Sequence, residues 1–104
     1  MPIDPKLAGE GADWIAEMLS DELDSFVPSE LCDIVMEAEQ RVRDEAGDPH
    51  MSHGEMAKRL MVIFEADPQI PTQEGAVSEY LVHEILHWED EFLTMAGVPR
   101  NVRR

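Results

Sequence analysis

Apolar side chains recur every third or fourth residue along most of this chain, and proline or glycine breaks the pattern in only a few places. A period near 3.6 is the signature of amphipathic helix and leaves little room for strands. Leu60-Met61-Val62-Ile63-Phe64 is the only continuous apolar run, and it lies inside a helical pattern. The spacing therefore predicts an all-α fold: a bundle of four helices, the C-terminal one longest and most apolar.

The breaks place the helices. The first is expected over about residues 11–25, with Ile15, Leu19, Leu23 and Phe26 on one face and Trp14 and Met18 beside them. Gly9 and Gly11 argue against an earlier start, so residues 1–10 are read as an irregular arm. Pro28 and Ser29 open the second helix, which buries Leu31, Ile34, Val35, Ala38 and Val42 and stops at Gly47. Ser52 and Glu55 form a capping box for the third, which carries Met56, Leu60, Ile63 and Phe64 and ends at Asp67-Pro68. Thr72 is the expected cap of the fourth, which runs to about Ala96. Met18, Met36, Met56, Met61 and Met95 fall at helical positions and are expected to fill core gaps.

Two apolar groups mark the fourth helix. Val77, Leu81, Ile85, Trp88, Phe92 and Met95 form the main one; Val82, Leu86 and Leu93 lie on an adjacent face. Together they cover about half the circumference. A face that wide predicts a helix central to the bundle or packed against a second copy. The reading is a homodimer with Val82, Leu86 or Leu93 near the contact. Residues 11–97 form one domain, and 98–104 form a basic tail with Arg100, Arg103 and Arg104.

Charge then narrows the function classes. The 104 residues carry a net charge of −15, and residues 1–40 hold eleven acids against one base, Lys6. Such a body repels nucleic-acid phosphates and disfavours direct DNA or RNA binding. It suits a basic protein partner. Asp13, Glu17, Asp21 and Asp24 form an acidic stripe on the first helix, with side chains one turn apart about 6 Å from each other. That spacing is close to the one between successive phosphates, so imitation of a nucleic-acid backbone is one form the partnership takes. No apolar stretch reaches the length of a membrane span, and the Asp4–Lys6 start does not fit a signal peptide; the expected location is cytoplasmic, with no membrane partner. Cys32, the single cysteine, lies among acids and is expected to be an inert, partly buried hydrophobe.

One motif carries chemistry. His83-Glu84-Ile85-Leu86-His87 matches H-E-x-x-H: two histidines one turn apart can ligate Zn²⁺ while the glutamate polarises a metal-bound water. At these positions the chain resembles the zincin metallopeptidases, over five residues of 104. The resemblance implies His83 and His87 as zinc ligands and Glu84 as the catalytic base. The third ligand that a zincin needs has no clear candidate in sequence. If the third and fourth helices are antiparallel, His50 and His53 come near the height of His87, which makes them possible further ligands. His83 also falls on a polar face with Glu79, Asp90 and Thr94, so both motif histidines are expected to be partly exposed. The E-x-x-H element of di-iron bundles occurs once, where two are required.

Three functional expectations follow. The first is a non-enzymatic interaction protein whose acidic first half engages a basic partner and needs no cofactor. The second is a zinc-dependent hydrolase using His83, Glu84 and His87. The third is a structural homodimer without a ligand.

Overall fold

Proline lacks an N–H and already holds a helical φ, so a first turn accepts it without loss. Pro5 accordingly opens the first helix, α1 (Pro5–Leu23), six residues ahead of the expected start. The computed structural model describes residues 5–70, 72, 77–99 and 102. Within them the arm expected at 1–10 is helical from Pro5 onward. Glycine costs a helix about 1 kcal/mol relative to alanine. At Gly11 close packing offsets this, because a Cβ there would stand 2.9 Å from Cε2 of Phe92.

α1 closes with Asp24 in a left-handed conformation (φ 51°). The Ser25 N–H reaches back to the Ser20 carbonyl at 3.2 Å, the six-residue bond that satisfies a helix C-terminus. Pro28 precedes α2 (Ser29–Ala46), which ends at Gly47 with φ 63°. Ser52 accepts the Glu55 N–H and starts α3 (His53–Glu65), as the capping box predicts. The cap of α4 (Glu79–Met95) is Ser78, which accepts the Leu81 N–H, and not Thr72. At 17 residues α4 is shorter than α1 with 19, so the expected longest helix is not the longest described.

The four helices form a bundle. α2 and α4 each pack against the other three, whereas α1 and α3 do not meet. Ile15 and Leu19 of α1, Val35 of α2, Leu60 and Phe64 of α3, and Ile85 of α4 are fully buried at the centre. The breadth of the apolar face on α4 comes from this central place. Of the residues expected near a dimer contact, Val82 and Leu86 are completely buried and Leu93 is 7% exposed. The chain's own helices cover Val82 and Leu86, and Leu93 borders a groove between α1, α2 and α4.

Several side chains expected inside are outside. Phe26 is 84% exposed, and Ile34, Ile63 and Met95 are exposed as well. Ile63 sits about 100° round the helix from buried Phe64, beyond the edge of the covered stripe. Phe26 lies past the end of α1, where the helical period no longer applies. Among the described residues no helix is long and apolar enough to cross a membrane. The tail positions Arg100, Arg103 and Arg104 lie outside the described residues.

Candidate functional site

The H-E-x-x-H residues occupy the middle of α4. His83 and His87 are exposed and Glu84 is half-buried. The Tyr80 hydroxyl donates to Glu84, and that bond, with the carboxylate charge behind it, holds the phenol above its ordinary pKa. His87 packs edge-on against Trp88 with ring centroids 5.8 Å apart. Trp88 in turn meets Trp14 of α1, and its Nε1 donates to Glu22 at 2.9 Å. The motif therefore borders the aromatic seam that joins α1 to α4.

The packing of α3 on α4 brings a third histidine near. His53, in the first turn of α3, lies 6.0 Å centroid to centroid from His83, and its Nε2 meets Oδ2 of Asp90 at 2.5 Å. Its Nδ1 is buried without a hydrogen-bond partner. His50 is exposed in the α2–α3 connection, its N–H donating to Asp48. Among the described residues no three His, Cys, Asp or Glu side chains are placed to hold a metal ion. His53–Asp90 acts as a bolt between two helices.

A second polar cluster escaped the sequence reading. Glu39 and Arg43 of α2 and Glu89 of α4 are all buried. Arg43 pairs with Glu39 at 3.1 Å and donates to the carbonyls of Pro49 and Met51, which ties α2 to the loop before α3. These three side chains line a groove of about 1070 Å³ between the start of α1, α2 and the end of α4, walled by Ala8, Met36 and Leu93. The signal was present: Val35, Glu39, Val42 and Arg43 follow helical spacing, and Glu89 falls in step with Val82, Leu86 and Leu93. Cys32 is buried on the same helix, and desolvation, with the Asp33 charge beside it, pushes its thiol up to about 12. It is not a nucleophile at neutral pH.

Three acids of the expected stripe, Asp13, Glu17 and Asp21, lie along α1, whereas Asp24, expected on the same helix, falls in the turn beyond its end. Asp13, Glu17, Asp21 and Asp24 are all exposed, and among the described residues no lysine or arginine pairs with any of them. The opposite face of α1 buries Ala12, Ile15, Ala16 and Leu19. At the α1–α2 corner the Val27 N–H donates to Ser20 Oγ at 2.8 Å, and that hydroxyl faces the Val27 carbonyl at 3.3 Å. This bracket holds Val27 in the core. The preceding side chain, Phe26, stands in solvent. Phe26, Asp13, Glu17 and Glu30 border one shallow depression, which no lysine or arginine lines.

The fold and its surfaces define an acidic four-helix bundle. No family model matches the chain, and no curated protein or solved structure matches it.

Proposed function

We propose that this protein is a non-enzymatic interaction module whose acidic α1 face engages a basic surface of a partner protein. One observation supports this reading above the others: the acids of α1 gather at the wrong end of their helix. A helix C-terminus carries partial negative charge and favours cations. α1 has no basic residue in its last turn; Asp21 and Glu22 stand there instead, with Asp24 just beyond the helix end. Asp13, Glu17 and Asp21 add like-charge pairs one turn apart, each costing about 0.2–0.5 kcal/mol. A cationic surface laid on this face relieves both terms at once.

The test is binding of a labelled peptide rich in lysine and arginine across a salt series. Affinity should fall steeply as salt rises. The variant Asp13→Asn, Glu17→Gln, Asp21→Asn should bind about tenfold more weakly, since three exposed pairs of about 0.5 kcal/mol each are lost. Glu45→Gln, Glu65→Gln, Glu91→Gln removes the same charge from exposed positions elsewhere and should change affinity little. Equal weakening by the two triple variants would reduce the interaction to net charge and defeat the assignment of a face.

A further inference from the structure

We propose that the depression at the α1–α2 corner seats an arginine side chain of the basic partner, with its guanidinium flat on Phe26 and its N–H groups on the carboxylates of Glu17 and Glu30. The proposal rests on the reading of α1 as a basic-partner face and names the residue that this face selects.

The corner is built to present an aromatic ring. Asp24 turns the chain out of α1 in a left-handed conformation, and the Ser25-to-Ser20 bond closes the helix behind it. The two hydrogen bonds between Ser20 and Val27 fix the next stretch. Val27 is buried there, and the ring of Phe26 beside it stands 84% exposed. Asp13, Glu17 and Glu30 share the depression with it, and no cation among the described residues answers them there.

That combination discriminates among guests. An apolar side chain would cover the ring but strip water from carboxylates and return nothing. A phosphate is repelled. A lysine ammonium pairs with a carboxylate, but it is compact and strongly hydrated. A guanidinium is planar and weakly hydrated; it stacks on an aromatic face while its in-plane N–H groups reach carboxylates at the rim. A flat aromatic beside carboxylates therefore favours arginine over lysine.

The experiment compares a labelled oligoarginine peptide with an oligolysine of equal length by fluorescence anisotropy at low salt. The probes bind wild type, Phe26→Ala and Phe26→Leu, each variant first checked for helical content. The leucine variant keeps apolar area and removes the π face. Wild type should favour oligoarginine by roughly three- to tenfold, the range a cation–π contact supplies. Both substitutions should erase that preference and leave oligolysine binding unchanged. Equal affinity of wild type for the two peptides overturns the arginine seat, as does a preference that survives both substitutions. In either case salt-dependent binding would leave the acidic-face reading standing. If neither peptide binds wild type, that reading fails and takes the arginine seat with it.

Discussion

Glu39 and Glu17 are helical carboxylates with a charged residue four positions on, and the two regions treat them in opposite ways. Glu39 on α2 is 3% exposed and its neighbour one turn later is Arg43. Glu17 on α1 is exposed, and one turn away on either side stand Asp13 and Asp21. Where this chain commits a carboxylate to its interior it supplies a guanidinium, whose Nη1 donates to the loop carbonyls of Pro49 and Met51 while its buried Nε has no hydrogen-bond partner. Where it lines up carboxylates on the outside of α1, it supplies no cation among the described residues. The first arrangement is scaffold. The second is the face proposed above for a basic partner.

The sharpest way to break this contrast is Arg43→Ala. Removing one partner of a buried ion pair leaves the other charge desolvated, and about 3–5 kcal/mol of stability should be lost in chemical denaturation. Two loop carbonyls lose their donors as well. A loss below about 1 kcal/mol would mean that the buried cluster is not scaffold.

Cys32 offers a second break, because it becomes a buried charge if it ionises. Its folded pKa is raised to about 12 from an ordinary value near 9. The sign follows from that direction: the thiol's contribution is fully present below pH 9 and is lost as pH rises toward 12, because the unfolded chain ionises first. Stability should decline over that window more in wild type than in Cys32→Ala. At neutral pH a thiol reagent should modify the folded protein only as fast as it unfolds.

On the outer side the effects shrink. Asp24 pays for a left-handed backbone that glycine adopts freely, and it places an acid at a helix C-terminus. Asp24→Gly should therefore raise stability by about 0.5–1 kcal/mol, read as an increase in the denaturation midpoint. A decrease would show that the aspartate side chain is needed for the turn. Smallest of all is Arg59→Ala. Arg59 and Glu55 repeat the spacing of Arg43 and Glu39 at 3.2 Å, but about half of each side chain is exposed. Its loss should cost no more than about 0.5 kcal/mol. Similar costs for Arg59→Ala and Arg43→Ala would erase the distinction between the two settings.

These contrasts also mark what could be read in the sequence. Apolar spacing was enough for four helices, because a stripe such as Ile15–Leu19 or Leu60–Phe64 can be buried only one way. Caps with a side-chain or glycine signature, at Ser52 and Gly47, were legible too. The start of α1 was not: the cost of Gly11 is visible in sequence, but its offset is Phe92, a residue on another helix. The wide face of α4 was legible as a face, yet whether a neighbour in the same chain or a second copy covers it is a tertiary fact. Glu39, Arg43 and Glu89 were overlooked because charged residues are rarely interior, although their register with Val35 and Leu86 pointed inward. His53 was placed near α4 by rise per residue alone, and the structure joins it to Asp90 and brings it beside His83. The acidic stripe was the most legible feature, since exposure on one face of a helix follows directly from burial of the other.

The most direct test measures stability and binding together on the variant Asp13→Asn, Glu17→Gln, Asp21→Asn. Neutralising two like-charge pairs should stabilise the fold by about 0.5–1 kcal/mol. The same variant should lose about tenfold in affinity for the lysine- and arginine-rich peptide at low salt. Opposite movements, a stronger fold and a weaker complex, are the result predicted for a face held open for a cationic partner. A fold that gains stability while peptide binding stays unchanged would contradict the account and reduce the stripe to a solvated surface.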